Sequence, residues 1–445
     1  MSEMLGVGFS LHADLAFLAL AREILEDHAD YFEVNPEAMW RSVDGRLVRN
    51  DYRQLFEQIR TRSGKRFVAH GLAFSPGSAP GVAGEAERTA TWLERIADDH
   101  ATFDFAWMSE HLGYVEAGGL QAVLPLPLPF TQEAVDACVS RLRLLAEIVP
   151  DVAFENSANY CAFGDVATIE PGFLNAIARH TPCWMMLDLH NVYTQAVNFG
   201  FDPAAYVDDL DLSRVIQIHL SGGSLSDPDW LPSRRVFRLD SHDGAIPDEV
   251  WDLLDRVIPK CTALRGIVVE RLNGTFEEAD LPGLVDEIAR ARAALGAVGS
   301  QPSAGTADDP APLDPGPSLA SLQRGCVRAL IAAHPERAVT DPPVDLDPEA
   351  RSLLATADPD GFRITGLIVR KLRFERLTMG DDRFDAWFEH DPEGFVAPFE
   401  AYCQQVPPTA YFPTEEAALF HAWRRETGVD LPGWVERGDA APESV

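Results

Sequence analysis

Short apolar runs alternate with segments of helical periodicity along the first two thirds of the chain. Between the runs, apolar residues recur every three or four positions, as they do in amphipathic helices. The eight runs cover residues 5–10, 31–34, 66–71, 105–112, 152–156, 184–191, 215–222 and 264–271. Capping signals open several helical segments; Asp14 and Thr131 are examples. The alternation predicts eight βα units and a parallel sheet.

Eight units of this size match an α/β fold of the (β/α)8 TIM type, whose catalytic groups lie at the C-terminal ends of the strands. An open doubly wound sheet would give a similar alternation, but it normally carries a glycine-rich phosphate turn after its first strand. In this chain Gly6 and Gly8 lie inside the first run and not after it. We therefore predict a catalytic barrel over residues 1–298.

The rest of the chain differs in composition. Residues 299–317 are rich in Pro, Ala, Gly and Ser and predict a linker. Residues 318–437 have helical periodicity with proline interruptions, which predicts a smaller, acidic, mostly helical domain. This domain either recognises a peptide or partner or serves as a structural cap on the barrel. Residues 438–445 are predicted to form a disordered tail.

Side chains that can bind metals stand at the end of nearly every run. They are Glu33, His70, Glu110 with His111, Glu155 with Asn156, Asp188, His219 and Glu270, and Asp240 with His242 follows the seventh run. The ends of barrel strands converge at one mouth, so this pattern predicts a metal cluster. Imidazole and carboxylate ligands without thiolates suit iron, manganese or zinc. Glu155 is our candidate for a carboxylate that bridges two ions.

The composition of the chain reduces the number of function classes and partners to consider. The formal net charge of −33 would repel a phosphate backbone, so no nucleic-acid partner is expected. No run approaches the roughly 20 apolar residues of a membrane helix. The N-terminus lacks the features of a secretory signal. We expect a cytoplasmic protein without a membrane partner, and its scattered cysteines are expected to be reduced.

Seven motifs in order resemble those of the multinuclear non-heme iron-dependent oxidative enzymes, the family of the methanobactin-forming oxidase. The motifs are His70-Gly71-Leu72, Ser109-Glu110-His111-Leu112, Phe154-Glu155-Asn156, Asp188-Leu189-His190-Asn191, Ile218-His219-Leu220-Ser221-Gly222, Asp240-Ser241-His242 and Val269-Glu270-Arg271. The resemblance covers roughly residues 5–295. It implies a TIM-type barrel that binds two or three irons and uses dioxygen as co-substrate.

The resemblance also implies roles for individual residues. One iron would be held by His70, His111 and Glu155, a second by Glu155, Asp188, His219 and Glu270, and a third by Asn191, Asp240 and His242. Catalytic roles fall to Glu155, Asp188 and His219. Supporting or substrate-facing roles fall to Glu33, Glu110, Asn156 and His190. Glu110 is expected to orient a ligand histidine. His190 should point away from the cluster if its strand is still regular.

In the resembled family the substrates are ribosomally made precursor peptides, modified at Cys in some members and at Asp or Asn in others. A separate or fused partner often recognises the peptide leader. Two alternatives use other chemistry. A hydrolytic or isomerising enzyme of the xylose isomerase or endonuclease IV type would use the same ligands with another divalent metal to activate water. A non-catalytic adaptor would be expected to have lost several ligands, and none is missing here.

Overall fold

The predicted eight-stranded barrel is confirmed in the computed structural model, which describes residues 3–299 and 313–437. Its strands close in the order β1-β12-β11-β10-β9-β6-β5-β2, and every neighbouring pair is parallel. The strands are β1 (Gly6–Leu11), β2 (Tyr31–Val34), β3 (Trp40–Val43), β4 (Arg46–Arg49), β5 (Arg66–Gly71), β6 (Met108–His111), β7 (Tyr114–Ala117), β8 (Leu120–Leu126), β9 (Val152–Glu155), β10 (Trp184–Asp188), β11 (Val215–Leu220) and β12 (Gly266–Val269). Most of the predicted linker and the predicted tail lie outside the described residues.

Helices connect the barrel strands, as the apolar periodicity predicts. They are α1 (Leu15–Leu20), α2 (Asp51–Ser63), α3 (Glu85–Phe103), α4 (Gln132–Ala146), α5 (Val166–His180), α6 (Leu189–Phe199), α7 (Pro203–Asp208), α8 (Asp248–Val257) and α9 (Leu281–Ala294). Two antiparallel hairpins, β3–β4 and β7–β8, follow the second and fourth barrel strands and were not predicted. Both insertions follow the C-terminal ends of strands, so they add to the mouth of the barrel.

An aromatic layer closes the barrel interior below the mouth. The Tyr31 ring occupies space that a side chain at Gly8 or Gly266 would fill, since a Cβ added at either glycine would overlap the ring. Its hydroxyl donates a hydrogen bond to the Ile267 carbonyl at 3.1 Å. Trp107 packs edge-on against Tyr31 with ring centroids 5.6 Å apart. The rings of Tyr31 and Trp107 form the aromatic floor of the barrel, and the polar residues of the mouth lie directly above it.

The chain after the barrel is helical, as predicted. Its helices are α10 (Leu319–Leu330), α11 (Pro335–Thr340), α12 (Pro348–Leu354), α13 (Pro359–Gly380), α14 (Asp382–His390), α15 (Pro392–Gln405), α16 (Pro413–Thr427) and α17 (Gly433–Arg437). Leu319, Leu322 and Cys326 of α10 belong to the same apolar core as the barrel. A second core, with Phe384 and Phe420 at its centre, joins the later helices. Among the described residues no helix has the length and apolarity to span a membrane.

Candidate metal centre

The register of the barrel strands brings the predicted ligands together at one mouth. His111 is paired with Glu155 on the neighbouring strand, and Asp188 is paired with His219. Side chains alternate between the two faces of a strand, so a residue two positions from an interior residue also faces the interior. His219 therefore shares its face with Gln217, and Glu33 shares its face with Tyr31 of the floor.

His70 and His111 converge on Glu155. Their Nε2 atoms lie 3.4 Å and 3.0 Å from Glu155 Oε2. His111 Nδ1 lies 2.8 Å from the Gly71 carbonyl, which can only accept, so this nitrogen carries the proton. His70 Nδ1 lies 2.9 Å from the hydroxyl of Ser109. The carbonyl fixes the tautomer of His111 and leaves its Nε2 free as the ligand atom, whereas the Ser109 hydroxyl, which can donate or accept, orients the His70 ring.

His219 lies between two carboxylates. Its Nε2 is 3.0 Å from Glu33 Oε2, while its Nδ1 is 3.1 Å from Glu270 Oε2 without hydrogen-bonding geometry. Glu33 thus orients the ring and leaves Nδ1 facing Glu270. The three residues also form a group compact enough to hold a cation, as do His70, Glu155 and His219. His219 is common to both groups, so two neighbouring cations could share it or the carboxylates around it.

Asp188 is fixed at the start of α6. Its Oδ1 accepts a hydrogen bond from the Asn191 backbone N–H at 2.7 Å and caps the helix. Asn156 binds both the N–H and the carbonyl of Asp188, each at 2.9 Å. Asn191 donates in turn to Glu155 Oε1 at 3.0 Å. The second carboxylate oxygen, Asp188 Oδ2, is buried and has no partner among the described residues.

Two members of the third predicted group, Asp240 and His242, lie together, while the Asn191 amide instead donates to Glu155 and to the Asn156 carbonyl. Asp240 Oδ1 lies 2.8 Å from His242 Nε2 and 3.2 Å from His190 Nδ1. His242 adopts a left-handed backbone conformation, with φ of 50°, and its Nδ1 comes to 3.8 Å from Glu270 Oε2. The placement of His190 differs from expectation. The strand ends at Asp188, and His190 therefore lies on the first helical turn and faces the cluster.

Glu110 also differs from its expected role. It follows Ser109 and precedes His111, so strand alternation turns it away from the barrel interior. The fully buried carboxylate accepts a hydrogen bond from the Phe74 N–H at 3.1 Å, and it makes no hydrogen bond to a ligand histidine within the described residues. Its Oε2 lies where a Cβ at Gly71 would be. Glu110 therefore holds the loop that follows β5.

Gln217 is a site residue that the sequence reasoning missed. Its amide donates to Glu33 Oε2 at 2.5 Å, and its carbonyl accepts from Trp107 Nε1 at 2.6 Å. It thereby connects the aromatic floor to the carboxylate that orients His219. The sequence does contain a sign of this role, because Gln217 is a polar residue inside an apolar run and precedes the candidate ligand His219 by two positions. Ser109 stands in the same relation to His111.

Charges in the centre are strongly coupled. Burial, followed by the neighbouring Asp188, raises the pKa of Glu155 well above its ordinary value. Burial and Asp240 raise the pKa of Asp188 to about 7. Burial alone would lower the pKa of His242, but Asp240 and Glu270 outweigh it and raise the pKa to about 10. Closely spaced buried carboxylates resist ionisation unless cations neutralise them.

Several ligand-type atoms have no hydrogen-bond partner although they are buried. Glu155 Oε2, Asp188 Oδ2, Asn191 Oδ1 and His219 Nδ1 are such atoms among the described residues. A buried polar atom without a partner is costly, roughly 1–3 kcal/mol for a neutral group. When several acceptor atoms converge and do not hydrogen-bond one another, a metal ion placed between them can accept their lone pairs. The oxygen and imidazole donors of this mouth therefore fit first-row divalent metals.

The barrel residues match known relatives. A family model described as "RiPP precursor modification enzyme MbnB/TglH/ChrH" matches residues 6–296, where RiPP denotes a ribosomally synthesised and post-translationally modified peptide. A UPF0276 protein of Caulobacter vibrioides is 32% identical over 237 residues, which cover 52% of this chain and 77% of that protein. One from Neisseria gonorrhoeae is 31% identical and covers 58% of this chain and 88% of its own length.

Solved structures resemble this chain less closely than the family model does. Endonuclease IV from Thermus thermophilus aligns with a TM-score of 0.39 and 19% identity over 64% of this chain and 98% of its own. A xylose isomerase domain protein from Planctomyces limnophilus gives a TM-score of 0.42 and 14% identity over 66% and 99%. These values support no inference about function. The family match spans the whole barrel, including every predicted ligand: the chain belongs to the MbnB/TglH/ChrH family of RiPP precursor modification enzymes.

Proposed function

We propose that this chain is a multinuclear non-heme iron-dependent enzyme that uses dioxygen to oxidise a Cys, Asp or Asn side chain of a ribosomally synthesised precursor peptide. The observation that carries the proposal is the convergence of His70 and His111 on Glu155 and of His219 on Glu270. Within the part of the chain that the structure describes, the buried Glu155 Oε2 and Asp188 Oδ2 have no hydrogen-bond partner. The family match to enzymes that modify RiPP precursors supports the peptide as substrate.

The residues would hold the irons in overlapping groups. His70, His111 and Glu155 would hold one, and Asp188, His219 and Glu270 would hold a second together with Glu155. Asn191, Asp240 and His242 would hold a third, which is the group with the weakest donor, a neutral amide. Bound iron would supply redox chemistry and open positions for dioxygen and for the substrate side chain.

The protein residues would keep the reacting region ordered and mostly dry. The ligands are buried: Glu155 is 2% exposed, Asp188 1% and His219 0%. Asn156 fixes the backbone of Asp188, the Gly71 carbonyl holds the imidazole of His111 in one tautomer, and the Ser109 hydroxyl orients the imidazole of His70. Such preorganisation lowers the cost of reaching the reactive arrangement.

The appended helices would contribute to peptide recognition. The family model ends at residue 296, so α10 to α17 lie outside the matched region. Their first helices pack directly on the barrel. A recognition element fixed at this place would present the peptide to the mouth without a separate partner protein. The alternative role, a structural cap, predicts that the same helices stabilise the barrel but leave peptide affinity unchanged.

Metal analysis tests the proposal directly. The full chain would be purified anaerobically from iron-supplemented cells, its metals quantified by mass spectrometry, and Mössbauer spectra recorded before and after oxygen is admitted. Two or three irons per chain that change oxidation state are expected. Stoichiometric zinc or manganese that persists after iron reconstitution, with no response to oxygen, would instead support the hydrolytic or isomerising alternative.

A further inference from the structure

A cavity of about 70 Å³ lies where the appended helices meet the barrel. One wall is the segment before and at the start of α3, a second is the turn of the β7–β8 hairpin, and the third is α10. Its polar lining residues are Ser78, Glu85, Arg88, Glu116, Gln323 and Arg324, and the other lining residues are apolar or glycine. A single buried water needs only about 10–15 Å³. The cavity therefore has room for the end of an amino-acid side chain.

Arg324 brings an unpaired positive charge to this cavity. Its side chain is half-buried, and its Nε is fully buried without a hydrogen-bond partner. Within residues 3–299 and 313–437 no carboxylate forms an ion pair with it. The next arginine on the same helix face, Arg328, is paired with Asp345 at 2.8 Å. Arg324 is thus available to a ligand.

The acidic residues of the cavity are already engaged. Glu85 forms an ion pair with Arg141 and accepts a hydrogen bond from the Thr89 hydroxyl at 2.7 Å. Glu116 accepts from the Gln121 amide at 2.8 Å and faces Arg88 at 3.7 Å. The charges of Arg88 and Glu116 offset each other. Of the charged residues that line the described cavity, Arg324 is the one without a direct ion pair. Asp345 lies outside the lining, pairs with Arg328 at 2.8 Å and also attracts Arg324 electrostatically.

The sequence around Arg324 is unusual for so acidic a chain. No Asp or Glu occurs between Asp314 and Glu336, although the chain carries 70 acidic residues against 37 Lys and Arg. Arg324 and Arg328 both lie in this stretch. A local positive potential within a negative surface directs an anionic group to one place.

The cavity lies close to the mouth along the chain. Gln323 donates to the Gly77 carbonyl at 2.6 Å and accepts from the Ala79 N–H at 2.9 Å. It therefore fastens α10 to the loop that follows His70. Ser78 is eight residues beyond His70, so the two are separated by at most about 29 Å. An extended peptide segment of about eight residues is long enough to join the cavity and the metal centre.

We propose that this cavity binds the carboxylate of an Asp or Glu residue of the precursor peptide, with Arg324 as its cationic partner. The apolar wall formed by Val82, Ala117 and Ala320 would receive a neighbouring apolar side chain. This inference rests on the proposed function, since it assigns a recognition element to the same peptide. The acidic residue would lie within about eight residues of the modified side chain.

Side-chain NMR of the full chain tests the site without metal turnover. Nε–Hε correlation spectra of the protein labelled with [15N]arginine would be recorded during titration with acetyl-Leu-Glu-Leu-amide, with acetyl-Leu-Gln-Leu-amide and with acetate. Loss of one signal in Arg324→Gln assigns the resonance. We expect the Glu peptide to shift this resonance, with affinity on the order of 1 mM, and the Gln peptide to leave it unchanged.

Two variants complete the test. In Arg324→Gln, which lacks the Arg324 resonance, binding is followed through the backbone amide signals of α10. The variant should bind the Glu peptide at least about tenfold more weakly, because a charge-assisted hydrogen bond is lost. Arg337→Gln, at an exposed arginine of α11 outside the cavity, should bind as the unaltered protein does. Equal responses to both peptides, no response to the Glu peptide, or unchanged binding by Arg324→Gln would overturn the proposal. A response to acetate equal to that of the Glu peptide would also overturn it and would indicate a site for free small carboxylates.

The two proposals fail separately. The titration requires neither iron nor oxygen, so a chain without oxidative activity could still show the carboxylate site. Conversely, iron that responds to oxygen would stand even if Arg324 bound nothing.

Discussion

Two hydrogen bonds join the Asn156 side chain to the backbone of Asp188, and they pair its N–H and its carbonyl as an adjacent β-strand would. Asn156 Oδ1 accepts from the Asp188 N–H and Asn156 Nδ2 donates to the Asp188 carbonyl, both at 2.9 Å. These bonds lie where β10 ends and α6 begins. They fix the backbone from which the Asp188 carboxylate projects, so Asn156 positions a candidate ligand without itself having to touch the metal.

Replacing Asn156 with Ala should therefore weaken metal binding. Loss of two buried hydrogen bonds should cost about 1–3 kcal/mol of stability, and loss of an orienting partner typically lowers metal affinity about 10–100-fold. Competition with a chelator measures the affinity, and thermal unfolding measures the stability. Asn159→Ala is the matched control, because the amide of this nearby residue donates, among the described residues, only to the Ser157 carbonyl. Unchanged affinity in Asn156→Ala would remove the positioning role.

Glu155→Gln tests the proposed bridge. The substitution keeps the size of the side chain but removes its charge, so at least one metal ion per chain should be lost together with activity. The metal-free variant should melt at a higher temperature than the metal-free parent, because burial and Asp188 disfavour the ionised carboxylate. Metal analysis and calorimetry of both forms measure these effects. Retention of all metal would contradict the bridge.

The clustering of the candidate ligands at one mouth could be predicted because the strand ends were visible in the sequence. Each apolar run of the barrel is short and is followed by a polar residue, and parallel strands of a barrel end at one mouth. The sixth run was the exception. Its apolar pattern continues past Asp188, but Asp188 also caps a helix, and the capping interaction with Asn191 ends the strand earlier than the pattern indicates.

The two hairpins, which were not predicted, differ in how much of their structure the sequence reveals. Asp44-Gly45 joins β3 and β4 and is a strong turn signal, so the first hairpin could have been found from the sequence. The second contains Val123 in a left-handed conformation, with φ of 58°, which a β-branched residue seldom adopts. The turn of the second hairpin was also visible in the sequence, because Gly118-Gly119 joins β7 and β8 with both residues at positive φ. The left-handed Val123 inside β8 has no such local signal.

Glu170 provides a prediction on pH. Burial raises the pKa of Glu170 to about 7, despite hydrogen bonds from Tyr206 and Gln195 that favour the ionised form. The folded chain therefore keeps a proton that the unfolded chain releases above its ordinary pKa of 4.5. Stability from this group is complete at pH below 4.5, falls as the pH rises toward 7, and then levels off.

Glu170→Gln should abolish this dependence. Relative to the parent, the variant should gain about 3 kcal/mol between about pH 4.5 and pH 8, since each pKa unit corresponds to about 1.4 kcal/mol. Denaturant unfolding at a series of pH values measures the difference. Glu147→Gln, at an exposed glutamate, controls for general charge effects. A difference that does not vary with pH would show that Glu170 titrates normally.

The join between the barrel and the appended helices gives the last prediction. The linker composition suggests a barrel that folds alone, whereas Leu319, Leu322 and Cys326 lie in the barrel's own apolar core. A chain ending at Gly316 should therefore expose apolar surface and aggregate, because burial of each large side chain contributes about 1.5–3 kcal/mol. Size-exclusion chromatography and thermal unfolding of the truncated and full chains would measure this.

A point variant separates core packing from other consequences of truncation. Leu322 is 1% exposed and Val344 is 84% exposed. Leu322→Ala should destabilise the full chain by about 2–5 kcal/mol, while Val344→Ala should have almost no effect. If the chain ending at Gly316 is monomeric and melts with the full chain, the helices are independent of the barrel. In that case the α10 contacts do not stabilise the barrel, and Leu322→Ala should leave the unfolding of the barrel unchanged.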